Sequence, residues 1–198
     1  MTAYHETGHL MVTYMKAPSK SVFKASIIPR RGTLGVVWSP EREELHSKNK
    51  EQLLAEIMIA FGGYAAERVK FNTTTSGVSS DFTKAMQLAH VMVWSLGMGD
   101  SGYVGDYTAI PKEELSEEVK VALNKDTNVL IQQCIKEAEK TLEMNRPILD
   151  RFAKELLERE ELEYDEIIAI FAEYGHKESE EKQWIPSAEN KQDSDTKK

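Results

Sequence analysis

Two histidines stand four residues apart near the start of this chain, with a glutamate directly after the first: residues 5–9 read HETGH. This H-E-x-x-H pattern constrains the fold more than any other stretch. On an α-helix, positions i and i+4 share a face, so His5 and His9 aim their imidazoles at one spot. Neutral imidazole nitrogens suit a zinc ion at about 2.0–2.1 Å. Glu6 lies one residue on, so it borders that spot without pointing straight at it. From there it can take a proton from water activated at the metal and later hand it to a leaving amine. The same letters also suit an exposed helix with two incidental histidines. Leu10 and Met11 continue an apolar helix and Gly8 leaves room beside the metal, and both favour the first reading.

A catalytic zinc needs a third protein ligand and a position open to water. The metzincin extension would place Gly at 12 and His at 15; the chain has Val12 and Met15. A carboxylate further along is the other common choice, and the residues alone leave Glu67 and Asp81 both open. Glu67 reads equally as a helix-surface charge or as a buried partner of a ligand. Asp81 reads equally as a carboxylate favoured in a first helical turn.

The coarse pattern is mainly α with a small β element. Residues 2–15 read as a helix closed by Pro18. Residues 22–40 hold two short β-forming runs divided by Arg31-Gly32, read as a hairpin or as neighbours in a small sheet, and as the one convincing β region. A helical period resumes near Ser47, with Leu53, Leu54, Ile57, Met58 and Phe61. Gly62-Gly63 inside that period costs about 2 kcal/mol against alanine. Either the helix breaks there, or a neighbour packs too closely for a side chain; the small residues around the pair favour close packing. Residues 71–80 are a loop, 80–96 a helix that Ser79 or Ser80 can cap, and 97–111 a loop. Helices follow over 113–144, 147–159 and 164–174, with Gly175 as the terminating glycine. From His176 on the chain is polar and reads as a disordered tail, so the expected division is a domain over 1–175 and a tail over 176–198.

Composition narrows the classes. A net charge of −8 argues against a general nucleic-acid binder. Cys134 is the single cysteine, which rules out an internal disulfide. No apolar run reaches the roughly 18–20 residues that span a bilayer, and the first residues lack a signal-peptide pattern. The chemistry begins so near position 1 that the chain is expected to be a domain cut from a longer protein.

Five motifs occur in order: AYHETGH at 3–9, SIIPRRGTLG at 26–35, GGYAAERVKF at 62–71, TTSGVSSDF at 74–82 and LGMGD at 96–100. Together they resemble the peptidase domain of the FtsH family of membrane-anchored AAA+ zinc metalloproteases and its mitochondrial relatives, over about residues 2–175. The resemblance implies one zinc ion per chain, held by His5, His9 and the aspartate of the TSGxxxD segment, Asp81. It implies Glu6 as general base and Glu67, from the GGxxAE segment, as a supporting residue. It further implies polypeptide substrates, a C-terminal helical bundle, and a homo-hexamer in the full-length protein. ATP would act only through a module absent from this chain. The membrane would be met only through absent segments, with the peptidase on the cytoplasmic or organelle-matrix-equivalent side and this fragment soluble. Thr7, Tyr64 and Ser80 depart from the family's usual small residue, arginine and asparagine, and no metal ligand is lost.

A substrate groove is expected along an edge strand near residues 34–38, where an extended peptide could add as a strand. His46, His90 and His176 lack partners at ligand spacing and read as structural or exposed, as Trp38 and Trp94 read as packing residues. Trp184 in the tail could serve in docking. The expected function is a zinc-dependent endopeptidase domain of an ATP-dependent protease. Its rivals are a catalytically silent oligomerisation scaffold and a stand-alone zinc peptidase with Glu67 as third ligand.

Overall fold

The computed structural model describes residues 1–29, 35–41 and 47–176. At its centre lies α1 (Thr2–Lys16), whose Leu10, Met11 and Val12 are 0% exposed. A helix apolar round most of its girth must be enclosed. Four others do this: α2 (Lys50–Ala60), α3 (Gly62–Phe71), α5 (Glu117–Met144) and α6 (Arg146–Arg159). α4 (Ser79–His90) packs on α2 and α5, and α7 (Tyr164–Glu173) on α6. The fold is mainly α with one small sheet, as the periodicities predict.

The core has two parts. One gathers α1, the sheet, α3, α6 and α7, with Tyr14 stacked on Phe171 at 3.7 Å between ring centroids and Phe152 beside it. The other lies between α2, α4 and α5 around Ile57, Met92 and Leu123. Cys134 is a buried free thiol in this second part, and burial pushes its pKa up to about 11.

β1 (Lys24–Ser26) and β2 (Val36–Trp38) form the expected antiparallel pair. The sequence reading missed a third strand. β3 (Glu161–Glu163) pairs antiparallel with β1 and leaves β2 at the edge of the order β2-β1-β3. Three residues reading Glu-Leu-Glu carry almost no β signal of their own. The strand is held by its surroundings: Leu162 is fully buried, and Lys24 bonds Glu161 at 3.0 Å and Glu163 at 2.8 Å.

Other boundaries move for local reasons. α5 starts at Glu117, not at 113, because the Ser116 side chain accepts the Val119 N–H and Glu117 and Glu118 favour the first turn. No serine side chain caps α4. A 3₁₀ turn, Ser76–Val78, runs straight into it, so the expected loop ends earlier and already carries helix. The expected helix over 80–96 is not all α: α4 ends at His90 and a π-turn covers Val91–Ser95. A 3₁₀ turn, Tyr107–Ala109, lies within the expected loop over 97–111. Gly175 terminates α7 with φ 80°, as expected of such a glycine. The Arg31-Gly32 turn, Leu34, His46, Trp184 and the tail beyond His176 lie outside the described residues. His90 stacks on Trp94, and His176 meets the edge of Phe171.

Gly62-Gly63 does both things the sequence allowed. The helix is interrupted at Phe61, and the backbones of α1 and α3 meet closely. A Cβ on Gly8 would overlap the Gly62 carbonyl oxygen; one on Gly62 would stand 2.7 Å from the Gly8 carbonyl oxygen. Neither obstacle is a flexible side-chain end, so relief requires the helices to part. Gly8→Ala is therefore expected to destabilise the chain by about 1–3 kcal/mol in denaturant unfolding. The exposed Val121→Ala should stay within about 0.5 kcal/mol of the parent. Equal midpoints for Gly8→Ala and the parent would contradict this packing.

Candidate metal centre

α1 turns His5 and His9 to one side, where both side chains are only 13% exposed. Each ring is fixed through its Nδ1. His9 Nδ1 donates to the Ile59 carbonyl oxygen at 2.7 Å, and His5 Nδ1 donates to Glu67 Oε1 at 3.0 Å. A carbonyl oxygen can only accept, so the Nδ1 of His9 carries the proton and its Nε2 keeps a lone pair when the ring is neutral. The carboxylate imposes the same tautomer on His5. The two Nε2 atoms stand 3.1 Å apart, an arrangement that leaves two lone pairs facing each other unless a cation lies between them.

Asp81 completes the cluster. α4 starts opposite α1 and presents this first-turn residue so that its Oδ2 is 3.3 Å from His5 Nε2 and 3.3 Å from His9 Nε2. Its Oδ1 faces Lys84 Nζ at 3.3 Å. Among the described residues, His5, His9 and Asp81 form a group close enough to hold one metal ion. The spacing can be tested against zinc. Ligands at about 2.0–2.1 Å and tetrahedral angles stand roughly 3.3–3.4 Å from one another. The observed 3.1, 3.3 and 3.3 Å match three corners of such a tetrahedron. Two imidazoles and one carboxylate, with a fourth corner left for water, are also a donor set that zinc takes.

Glu67 stands outside this cluster. It is 1% exposed and meets the His5 nitrogen remote from Asp81. Its Oε2 accepts the Thr75 N–H at 2.7 Å and the Thr74 hydroxyl at 3.0 Å, and its Oε1 also accepts the Thr75 hydroxyl at 3.1 Å. Gly63 makes room for the imidazole it holds: a Cβ there would lie 2.5 Å from His5 Nε2. Glu6, 7% exposed, lines the same cleft of about 780 Å³ as the cluster. Gly35, just before β2, lies against its carboxyl: a Cβ there would come 2.5 Å from Glu6 Oε1.

Electrostatics follow from these contacts. Burial alone would raise the pKa of Asp81, but His5 and His9, whose Nε2 atoms donate to it once the rings are protonated, outweigh burial and hold the carboxyl far below the usual range. Burial would likewise raise Glu67, and the Thr75 N–H, His5 and the threonine hydroxyls bring it down. Burial would lower His5, yet Asp81 and Glu67 raise it. Glu6 alone of the three carboxyls is pushed up: burial dominates, and the two histidines offset it only in part. The site thus holds two carboxylates committed to the ionised form and a third biased toward taking a proton.

Of the five residues expected at the site, His5, His9 and Asp81 come together, Glu6 lines the same cleft, and Glu67 meets the far nitrogen of His5. Sequence reasoning missed Thr74, Thr75, the Ile59 carbonyl, Gly35 and Lys84. A backbone acceptor leaves no trace in residue identity, and Thr73-Thr74-Thr75 reads only as a polar loop. The i, i+3 spacing of Asp81 and Lys84 was visible but common.

Comparison with known proteins places the chain. The sequence model of peptidase family M41 matches residues 1–170. The chain is 37% identical over 177 residues to the ATP-dependent zinc metalloprotease FtsH of Borreliella burgdorferi (strain ZS7), covering 84% of this chain and 28% of that protein. It is 33% identical over 180 residues to the protein of that name from Cupriavidus metallidurans (strain ATCC 43123 / DSM 2839 / NBRC 102507 / CH34), covering 86% and 28%. For the Rubrobacter xylanophilus (strain DSM 9941 / JCM 11954 / NBRC 16129 / PRD-1) protein the figures are 32% over 187 residues, 88% and 28%. The chain therefore spans 28% of the length of these relatives. With the family's match running through every element that builds the metal centre, the chain belongs to peptidase family M41.

Proposed function

We propose that residues 1–175 act as a zinc-dependent endopeptidase unit, with His5, His9 and Asp81 as ligands of one zinc ion and Glu6 as general base. The observation that carries this reading is the triangle of donor atoms at 3.1–3.3 Å beside a buried glutamate. When bound, zinc supplies Lewis acidity that makes water nucleophilic near neutral pH and polarises a peptide carbonyl. Glu6 takes the proton of the attacking water and passes it to the departing amine. Glu67 keeps His5 in the tautomer whose Nε2 is free to bind the ion. Asp81, held ionised, brings a negative charge that offsets part of the cation's.

The substrate in this reading is an extended, unfolded polypeptide added to the edge of β2. Val36 and Val37 line the cleft that holds the metal centre, and β2 has β1 as its partner on one side only among the described strands. Strand addition reads backbone, which suits cleavage with little regard to side chains. ATP-driven unfolding, the homo-hexamer and the membrane anchor belong, in this reading, to a longer protein. Among the described residues no helix is long and apolar enough to cross a membrane. The rival in which Glu67 binds the ion loses ground because both its oxygens already accept hydrogen bonds.

Asp81→Ala is expected to abolish stoichiometric zinc binding by metal analysis, whereas Glu67→Ala weakens it by about 10–100-fold. The reverse pattern would hand the third ligand to Glu67. Glu6→Gln should retain zinc and lose turnover of casein by at least about 10²-fold. Parent-level cleavage by that variant eliminates the general-base role. For the groove, N-methylation of alternate backbone amides in a peptide substrate should raise KM at least about tenfold if one strand hydrogen bond of roughly 1.4 kcal/mol is lost. Unchanged KM for every methylated peptide would remove β2 from the binding site.

A further inference from the structure

Glu67 has an unusual burden for a carboxylate that is 1% exposed. It accepts from four donors drawn from two separate parts of the chain. One is His5 Nδ1 on α1, at 3.0 Å. The others are the Thr74 hydroxyl at 3.0 Å, the Thr75 N–H at 2.7 Å and the Thr75 hydroxyl at 3.1 Å. A carboxylate offers about four lone-pair sites, so this one is saturated. Its Oε1 is shared between His5 and the Thr75 hydroxyl. Thr75 is extended, at φ −109° and ψ 168°, and immediately precedes the 3₁₀ turn Ser76–Val78. That turn runs without a break into α4, whose third residue is Asp81. One threonine therefore touches the carboxylate that orients one corner of the donor triangle and begins the segment that delivers another.

We infer that Thr75 is a positioning residue of the metal centre, acting through Glu67 to fix His5 and the approach of Asp81; the inference rests on the zinc reading above. Thr75 is exposed as a residue, and its hydroxyl contributes nothing to the apolar core. The hydroxyl's work lies instead in tying down the partner of a ligand. Losing such a partner weakens metal binding by about 10–100-fold. Thr75→Val keeps shape and backbone N–H and removes only the Oγ–H that shares Oε1 with His5.

The test is zinc affinity, measured by chelator competition on the purified full chain, for the parent, Thr75→Val, Thr75→Ser, Glu67→Gln and the double variant Glu67→Gln/Thr75→Val, with the melting temperature of each metal-free form. Thr75→Val should raise the zinc Kd by about 10-fold, and by no more than Glu67→Gln does, while its metal-free melting temperature stays near the parent's. Thr75→Ser should restore the Kd to within about threefold of the parent, a rescue that a purely structural role for the methyl group would not give. In the Glu67→Gln background Thr75→Val should add less than about threefold more, because the two act on one contact. Should Thr75→Val fail to fold, Thr75→Ala takes its place with the same expected outcomes. A Thr75→Val Kd equal to the parent's, a Thr75→Ser variant as weak as Thr75→Val, or fully additive effects with Glu67→Gln would each overturn the inference. A parent that binds no zinc, or whose binding survives His5→Ala undiminished, overturns the zinc reading as well. A parent that binds through His5 beside an unaffected Thr75→Val overturns the inference alone.

Discussion

The close approach of α1 and α3 is the constraint on which the site depends. Glycine at positions 8 and 62 lets two helix backbones meet where any side chain would collide. That approach sets Glu67 within hydrogen-bond reach of His5 and leaves Gly63 clear of the imidazole. The Ile59 carbonyl, at the end of α2 just before the interruption at Phe61, reaches His9 by the same route. The break between α2 and α3 is thus part of the design: one helix end fixes one histidine, and the next helix fixes the other. Packing of this kind cannot be eased by small movements, since interiors are dense and backbone atoms have nowhere to go.

Charge then does what packing alone cannot. Bringing two imidazole lone pairs and a carboxylate oxygen to within about 3.3 Å of one another is unfavourable for a neutral pair of rings beside an anion. The arrangement is held by hydrogen-bond partners behind it: a carbonyl and a glutamate that accept from the two rings and, behind the glutamate, a threonine loop that donates to it. These outer contacts orient the inner atoms before any cation arrives, which is where the affinity of a metal site is set. Glu6 differs from its two acidic neighbours by environment alone. It lies in the cleft wall beside Gly35, and burial raises its pKa, whereas Asp81 and Glu67 are surrounded by donors that lower theirs. Three carboxyls of one cleft are thereby divided between holding charge and moving a proton.

Much of this was legible in the letters. The spacing of His5 and His9 needs only helix geometry, and the long apolar periods of α1, α2, α5 and α6 are strong enough to survive any context. The glycine pair announced a close approach without saying to what; the answer, Gly8, lies inside the H-E-x-x-H motif itself. The distant carboxylate was not legible from residues alone, because Glu67 and Asp81 carry the same charge and nothing local says which will face the rings. Resemblance to a family chose Asp81, and the fold brings its oxygen to both Nε2 atoms. β3 was hidden because its pairing comes from β1 and Lys24, more than a hundred positions away, and from burial of Leu162 in the packed core. The start of α5 was misplaced because Ser116 outcompetes an acidic run that could itself have been helical. Threonines 74 and 75 were passed over because a hydrogen bond to a buried carboxylate has no sequence pattern.

The most direct measurement is anomalous diffraction at the zinc edge from crystals of the zinc-loaded chain. One peak is expected, at about 2.0–2.2 Å from His5 Nε2, His9 Nε2 and an oxygen of Asp81, with the Glu67 carboxylate still on His5 Nδ1. A peak ligated by Glu67, or one that leaves Asp81 several ångströms away, would contradict this ligand set.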